Sequence, residues 1–557
     1  MNDTTEEKNE RRLDVFHVSR TDKSGARASP PANSVSCAQV HVAIFMRRWW
    51  PLAALLISTL APIAAAAGRL SADAGIDWRY YDVVCDNPVI YQANQSAQSA
   101  TDTQRETYYQ YFRLRTRPWG RLTLDERYDL YARLGHEFRV YDNNKQSYRF
   151  PDELFVDSLY AEFRGLLDDR LSLRVGRQDM RYGAGSMIRD GTPGDITRSY
   201  FFDAVKGQIR VDEASTLDLV GIWQRPEDPW TLGNERVDLT RYALREGGND
   251  LTERALVAYY SNRAQKDLPY DLYYIYKDES RWQAGSGTRI PERRYHTVGA
   301  RVMPRLTEHW SAEAEVAGQL GTIGGSATVR ERDIQAWLAY GGATYRRNAW
   351  RWKPYVTTAV LVMSGDDERF DDPNARGTDT GWNPIFARSI WSSDLLSAGY
   401  ACYRVSNWVY PHAETGVTPV DGHTFNLQAG PNYAYSSDNA NGDTYCGFLV
   451  IGRYLFEVLR DSKTWRGPVH GAFKAEMLRT GDYSNAEGQV FCLAGHVHVH
   501  GKAGSPRPLP VERPPSVERW KGERQEALPK PEPPTVSGTD AHPATHRLPC
   551  TSDAVLT

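Results

Sequence analysis

The sequence has almost no long apolar runs, and this lack excludes one class of protein. Of its 557 residues, 41% are hydrophobic and 25% are charged. Apart from one segment near the N-terminus, no stretch reaches the length that a transmembrane helix needs. A helical membrane protein is therefore excluded. A membrane β-barrel is not, because its strands alternate apolar and polar residues and average to a soluble-looking hydropathy.

The sequence also lacks the motifs of common enzymes and metal proteins. It has no Ser/His/Asp pattern, no Gly-rich phosphate loop and no CxxC spacing among its six cysteines. Its best carboxylate pair, Asp366-Asp367, consists of neighbours, which point to opposite faces of a strand. The net charge of −3 gives no indication of nucleic-acid binding. We expect no catalytic residues, no cofactor and no nucleic-acid partner, although Cys402 and Cys446 could pair after export.

A segment near the N-terminus has the features of a secretory signal peptide. Met46-Arg47-Arg48 is basic, residues 52–63 are apolar, and Ala65-Ala66-Ala67 precedes Gly68. Residues 46–67 are therefore predicted to be a signal peptide, with a retained transmembrane helix as the alternative. Residues 1–45 are mostly polar and aperiodic, which indicates an over-extended start or a disordered extension.

The stretch 109–141 has the pattern of a β-hairpin with one charged and one apolar face. In its first half, a period of two places Tyr111, Arg113, Arg115 and Arg117 on one face. In its second half, an apolar face containing Leu130 alternates with Arg127, Asp129, Tyr131, Arg133, Glu137 and Arg139. A membrane barrel turns the apolar face to lipid and the charged face to a wet lumen, whereas a soluble sheet leaves the charged face in open solvent.

Alternating segments of strand length continue to about residue 490, divided by loops rich in Gly, Asp and Asn. Residues 68–490 are predicted to form an all-β, transmembrane antiparallel β-barrel with a polar lumen. About 16–18 strands fit, because each strand of ~10 residues and its share of loop take roughly 22–25 residues. The segments 179–199, 224–252 and 365–393 are too long for hairpin turns. They are expected to be extracellular loops or to fold into the lumen.

Several faces that are predicted to line the lumen carry cations. They are Arg113, Arg115, Arg117, Arg127, Arg133, Arg139, Arg174, Arg210, Arg301 and Lys206. A guanidinium group is permanently charged and binds carboxylates bidentately. Interleaved acids such as Glu137 and Asp157 keep such sites weak enough to release an anion. The alternative is that these charges only solvate one face of a sheet.

Residues 153–183 contain two motifs in succession. An acidic-aromatic segment, residues 153–157, is followed by Arg-x-Gly-Arg-Gln-x-x-Arg, in which the arginines are Arg174, Arg177 and Arg181. With further matches at residues 363–386 and 474–483, this arrangement resembles the alginate-export family of outer-membrane β-barrels.

The resemblance implies a barrel of about eighteen strands with an electropositive constriction that passes an acidic exopolysaccharide. It also implies that Arg174, Arg177 and Arg181 are constriction or loop cations. A polyuronate carries about one negative charge per sugar, so a cationic lumen can replace its counterions. The lumenal placement of the remaining cations, Lys206 and Arg210 among them, rests on strand alternation alone.

The C-terminal part departs from the family pattern. Outer-membrane barrels usually close with a strand that ends in an aromatic residue, and no clear one follows Tyr483. Residues 491–557 become rich in Pro, Arg and Glu, which predicts a disordered tail or the product of a frame change. Within them, His496, His498 and His500 alternate with a spacing that could bind zinc or nickel, although we expect no metal site there.

The sequence therefore predicts a passive outer-membrane channel with a basic lumen, which exports an alginate-like acidic polysaccharide. Its expected partners are that polysaccharide, outer-membrane lipid and a periplasmic synthesis or export complex. A closed barrel needs no oligomer for stability, so a monomer is expected. Two alternatives stay open: a general porin for other sugars or anions, and a secreted β-rich enzyme that degrades polysaccharides.

Overall fold

A computed structural model describes most of the chain between residues 70 and 504. The described residues are 70–86, 108–141, 150–189, 201–225, 228, 230–231, 252–280, 282–283, 289–290, 292–324, 330–368, 375–386, 393, 406–437, 442–459, 469–483 and 489–504. The predicted N-terminal extension and signal peptide lie outside them, as do residues 505–557. Among the described residues, no helix is long and apolar enough to cross a membrane.

The strands are numbered in chain order. They are β1 (Leu70–Asp86), β2 (Tyr108–Leu124), β3 (Tyr128–Tyr141), β4 (Phe150–Gly165), β5 (Leu171–Gln178), β6 (Arg181–Tyr182), β7 (Ile188–Arg189), β8 (Phe202–Arg210), β9 (Ser215–Gln224), β10 (Glu253–Asn262), β11 (Tyr270–Glu279), β12 (Trp282–Gln283), β13 (Arg289–Ile290), β14 (Arg293–Val302), β15 (Trp310–Ile323), β16 (Arg332–Arg346), β17 (Tyr355–Met363), β18 (Trp408–Val420), β19 (His423–Tyr433), β20 (Tyr445–Leu459), β21 (Val469–Thr480) and β22 (Gln489–Gly504). A four-residue helical turn, α1 (Leu166–Asp169), connects β4 to β5.

Eighteen of the described strands form one sheet that closes on itself. β1 pairs with β2 on one side and with β22 on the other, and the remaining strands follow one another as antiparallel neighbours. The pairs β6–β7 and β12–β13 stand outside this ring. The predicted antiparallel β-barrel is therefore confirmed, at the upper end of the predicted strand number. Closure removes the unpaired edges at which open sheets associate.

The closing strand is β22, which runs on to Gly504, past the predicted barrel boundary at residue 490. Its first half alternates as a barrel strand should, with Phe491 and Leu493 exposed and Val490 and Cys492 buried. Its second half contains glycines and histidines in place of the expected aromatic ending. Strand alternation is therefore weak there, and the sequence predicts a tail from residue 491. The boundary at residue 490 is thus corrected by the structure.

The two faces of the sheet differ as the alternation predicts. On β2, Arg113, Arg115 and Arg117 are buried on the lumenal side. Large apolar side chains on the outer face are exposed, among them Leu256, Val298, Val316 and Leu320. Covering each such side chain with lipid in place of water contributes about 1.5–3 kcal/mol, so the outer face suits a bilayer.

The two ends of the barrel differ in the length of their connections. At one end, Asp421 and Gly422 form a two-residue turn between β18 and β19, and Gly422 has the positive φ of 87° that such a turn requires. The connections 179–201, 225–252 and 364–407 lie at the other end. Outer-membrane barrels have short turns on the periplasmic side and long loops outside, so the two ends are named periplasmic and extracellular here.

A disulfide bond joins the first and last strands of the barrel. Cys85 of β1 and Cys492 of β22 face each other across the closing pair, with Cα atoms 4.2 Å apart. The two cysteines are 407 residues apart in the sequence, and their spacing therefore gave no indication of pairing. Cys446 is also disulfide-bonded, and Cys402, its predicted partner, lies outside the described residues.

Candidate functional site

Segments of the three long extracellular connections fold back against the inner wall. They are segment A (179–189, with β6 and β7), segment B (228 and 230–231) and segment C (375–386). Ile188 of segment A and Ile385 of segment C are fully buried. A parallel bridge joins Ile188 to Phe386, so segments A and C meet. The lumen is constricted where they do.

Polar side chains of the inner wall anchor segment C. Gln319 of β15 donates to the backbone carbonyl of Asn383 at 2.9 Å and accepts from its backbone N–H at 2.9 Å. Arg293 donates to the Asn383 side chain at 2.5 Å, and Lys277 donates to the carbonyl of Ile385. A loop inside a barrel needs such partners, because its backbone groups have lost water.

Segment A is anchored by a tyrosine and a serine. The Tyr182 hydroxyl donates to Asp218 at 2.9 Å, and the Ser186 hydroxyl donates to Glu315 at 3.0 Å. Burial and the Asp218 carboxylate raise the pKa of Tyr182, so this hydroxyl remains a donor at physiological pH. Gly185, with φ of 90°, allows the tight turn between β6 and β7.

Arg177 holds segment B against the wall. Its guanidinium donates to Asp203 at 2.9 and 3.1 Å, to Asp228 of segment B at 2.9 Å and to the carbonyl of Val156 at 2.9 Å. Its Cζ also lies 3.5 Å from the centroid of the Phe201 ring. The side chain is 3% exposed. This arginine of the predicted motif is therefore an anchor in the present conformation.

Two arginines of β2 share one carboxylate of β3, and a third arginine lies beside them on β1. We call these residues, Arg79, Arg113, Arg115 and Glu137, the cationic cluster. Arg113 donates to Glu137, and Nε of Arg115 lies 3.9 Å from a Glu137 oxygen. Arg79 lies opposite Arg115 in the β1–β2 register. All four residues are 1% exposed. The cluster thus brings three guanidinium groups and one carboxylate together at this point of the wall.

Next to the cationic cluster, two arginines form ion pairs with three aspartates. Arg117 pairs with Asp77 and lies 3.5 Å from Asp157. Arg133 pairs with the same Asp157 and reaches Asp179 at 2.6 Å. These two arginines and three aspartates tie β1, β2, β3 and β4 to the start of segment A.

The wall opposite β2 carries acids and tyrosines. In a ring of eighteen strands, β15 is nine positions from β2 and hence diametrically opposite it. On β15, Glu315 accepts from the Tyr273 hydroxyl at 3.0 Å, and Glu313 accepts from Arg301 at 2.7 Å. The rings of Tyr259 and Tyr273 stack in parallel with centroids 5.6 Å apart. This side of the lumen therefore carries acids and tyrosines, with Arg301 paired to Glu313.

Three further predicted cations line the wall or segment A. Arg174 donates to Glu162 at 3.0 and 3.2 Å, and Lys206 lies 2.8 Å from Asp218. Arg181 of β6 donates to the Ala184 carbonyl at 2.9 Å. The structure thus distributes the predicted cations along the lumen and does not gather them into one site.

Two of the residues predicted to be lumenal are exposed at the periplasmic end of the barrel. Arg127 is the exposed last residue of the β2–β3 turn, because positive φ angles at Asp125 and Glu126 interrupt the alternation before β3 begins. Arg210 is the exposed last residue of β8 at the periplasmic end. Arg139 lies in β3, opposite Arg113, and its side chain is outside the described part.

The prediction missed the lumenal residues Arg79, Lys277 and Arg293. A signal for the first was present, because Asp77, Arg79 and Tyr81 alternate in β1 as Arg113 and Arg115 do in β2. For the other two there was none, since their role depends on segment C, whose inward fold is a tertiary contact.

A closed barrel of eighteen strands, an apolar outer face and a charged, constricted lumen define a β-barrel channel of the outer-membrane type. A model of the alginate export family matches residues 88–389, which is more than half of the chain. The chain belongs to the alginate export family. No curated protein matches the sequence significantly.

Solved structures of outer-membrane barrels from Pseudomonas aeruginosa share the fold. OccK5 (OpdH) is 10% identical, with a TM-score of 0.50, over 78% of this chain and 100% of that one. OpdK with vanillate is 10% identical, with a TM-score of 0.50, over 78% and 99%. A second structure, of the outer membrane protein opdK, is 11% identical, with a TM-score of 0.50, over 78% and 99%. At these identities the likeness concerns the fold alone.

Proposed function

We propose that the protein is a passive, anion-favouring outer-membrane channel that exports an acidic, alginate-like polysaccharide. The observation that carries the proposal is the cationic cluster, in which Arg113 and Arg115 share Glu137 and Arg79 lies opposite Arg115. Its guanidinium groups suit the carboxylates of a polyuronate, which guanidinium groups bind bidentately. The acidic wall opposite would repel the polymer and keep it against the arginines.

Family membership supports the same substrate class, because the matching family is described as alginate export. Passive movement requires sites that release the polymer as well as bind it. Glu137 serves this purpose, since it competes with each incoming carboxylate for Arg113 and Arg115.

Transport includes a conformational step in this proposal. Arg79, Arg113 and Arg115 are 1% exposed, so a polymer can pair with them only after a rearrangement of the lumen. Segment C is held to the wall largely by hydrogen bonds from Lys277 and Gln319, contacts of modest net strength. We expect its release to widen the lumen where segments A and C meet. Lys277 and Gln319 lie on the wall away from β2, so the cationic cluster needs a rearrangement of its own.

The test is single-channel recording of the protein in a planar bilayer, with a potassium chloride gradient and added oligoalginate. We expect chloride selectivity and an oligoalginate block that weakens at high salt, because screening shortens the range of the arginine charges. Replacing both Arg113 and Arg115 by Gln should reduce chloride selectivity and weaken the block at least tenfold. Arg254→Gln is the matched control, because Arg254 is 63% exposed on the outer face and should leave both unchanged.

The opposite outcomes separate the alternatives. Conductance without oligoalginate block, unchanged in the Arg113/Arg115 variant, would favour a general porin. Cleavage of oligoalginate in the chamber would favour a polysaccharide-degrading enzyme. Absence of conductance, with a protein that is soluble without detergent, would refute a membrane channel altogether.

A further inference from the structure

Three histidines meet on the lumenal side of the last two strands. His470 of β21 lies directly opposite His498 of β22, and His500 follows on the same face of β22. Their ring centroids are 5.1, 5.2 and 6.1 Å apart. One ring nitrogen from each histidine lies within 4.8 Å of the other two. We call these three residues the histidine triad.

We infer that the histidine triad binds a transition-metal dication of the zinc class in the wall of the lumen. In a tetrahedral zinc site with Zn–N bonds of about 2.1 Å, neighbouring ligand nitrogens are about 3.4 Å apart. The present separations are up to 4.8 Å, so metal binding would draw the three rings closer together. Three imidazole ligands and an open fourth position match zinc, nickel and copper, whereas calcium and magnesium take oxygen ligands.

The hydrogen bonding of the histidines points independently to a ligand. Within the described part of the chain, both ring nitrogens of His498 and Nε2 of His500 are buried without a hydrogen-bond partner. His498 is 7% exposed, so water does not compensate for this. Buried polar atoms are nearly always paired, and an unpaired one calls for an explanation such as an ion. A bound metal would satisfy these nitrogens.

The surrounding charges are mixed. Asp77 of β1 lies directly opposite His500, and its Oδ1 is buried without a partner in the described residues while Oδ2 pairs with Arg117. This free oxygen is placed to be a fourth ligand or to orient a bound water. Arg79 lies opposite His498, and its charge disfavours any cation nearby. Binding would therefore depend on the coordinate bonds of the histidines and on the negative charge of Asp77.

The position of the triad suggests what the metal does. His470 and His500 lie towards the periplasmic ends of β21 and β22, and Asp77 belongs to β1. A metal held by His470, His500 and Asp77 together would cross-link β21, β22 and β1, the strands on both sides of the closing seam. The Cys85–Cys492 disulfide fixes the extracellular end of the same seam, so the two links would stabilise opposite ends of one strand.

The test is zinc titration of the full-length, detergent-folded protein after removal of metals with EDTA. Isothermal titration calorimetry should detect one site that is lost or weakened at least tenfold in His470→Gln and in His500→Gln. His496→Gln is the matched control, because His496 lies on the same face of β22 but outside the triad, and it should bind as the wild type does. Cobalt should give the absorption spectrum of a tetrahedral site with nitrogen ligands in the wild type and in His496→Gln, and not in His470→Gln or His500→Gln.

A second readout separates binding from a folding defect. All proteins are first shown to be folded by heat-modifiable migration on gels. Zinc should then raise the guanidinium unfolding midpoint of the wild type and leave the midpoints of the His470 and His500 variants unchanged. No wild-type site, or equal loss in the His496 variant, would overturn the inference. Both results are independent of channel selectivity, so they do not depend on the transported substrate.

Discussion

Removing the Cys85–Cys492 disulfide should weaken the barrel without changing its fold. The bond closes a loop of 407 residues in the unfolded chain, and replacing both cysteines by serine frees that loop. The chain-entropy relation for a loop of 407 residues gives about 6 kcal/mol as the upper limit of the effect. Measured effects of disulfides are commonly about 2–4 kcal/mol, and we expect a loss in that range.

The seam itself should survive the substitution. β1 and β22 remain paired along Asp73–Asp86, opposite Phe491–Gly504, and that ladder is independent of the sulfur atoms. The first structural consequence should therefore be fraying of the extracellular end of β22, with a lower resistance to denaturant. Channel conductance of the folded protein should be unchanged.

The assay is guanidinium unfolding in detergent, followed by tryptophan fluorescence. The Cys85→Ser/Cys492→Ser double variant should have a lower midpoint than the oxidised wild type, and each single variant should match the double variant. Reduction of the wild type opens the Cys446 disulfide as well, so Cys446→Ser serves as the control for that bond. Equal midpoints for the double variant and the oxidised wild type would refute the reasoning.

Three further predictions follow from the anchors and the constriction. Arg177→Gln leaves two aspartates facing each other and should lower the free energy of unfolding by about 3 kcal/mol. The control is Arg174→Gln: the Arg174 side chain is 29% exposed, and its loss should cost under about 1 kcal/mol. Equal denaturant midpoints for the two variants would contradict this prediction. Phe386→Ala removes a buried ring whose centroid lies 5.5 Å from that of Phe202. The substitution should weaken docking of segment C by about 3–5 kcal/mol, and the mean conductance of the channel should rise. An unchanged conductance would mean that segment C does not limit the pore. Burial, with Asp366 nearby, raises the pKa of Asp379, so the docked conformation of segment C favours the protonated carboxyl. Docking should therefore be strongest below the ordinary carboxyl pKa of 3.8 and should weaken as the pH rises through the raised pKa of Asp379. Conductance should therefore increase with pH in the wild type and lose that dependence in Asp379→Asn.

Strand alternation was enough to predict the barrel and the faces of its strands. Tyr111, Arg113, Arg115 and Arg117 project into the lumen as their period of two requires, because side-chain direction in a strand is a local property. The family resemblance likewise depended on a contiguous motif around Arg177. For the same reason the prediction failed at Arg127, where two residues of positive φ break the period.

The cationic and histidine clusters needed the tertiary structure. Neither the sharing of Glu137 by Arg113 and Arg115 nor the approach of His470 to His498 is visible in the sequence, because each depends on which strands become neighbours and in which register. His496 was grouped with His498 and His500 from spacing, whereas the structure brings in His470 from the preceding strand.

The sequence by itself thus determined the class of fold, the approximate strand number and the side of each strand that meets water, since all three follow from local periodicity. Only the tertiary structure decided that β22 closes the barrel, that Cys85 bonds to Cys492 and that segments A and C meet inside the lumen. These features join residues far apart in the chain. Pairing over such distances depends on the geometry of the closed ring, which no local pattern encodes.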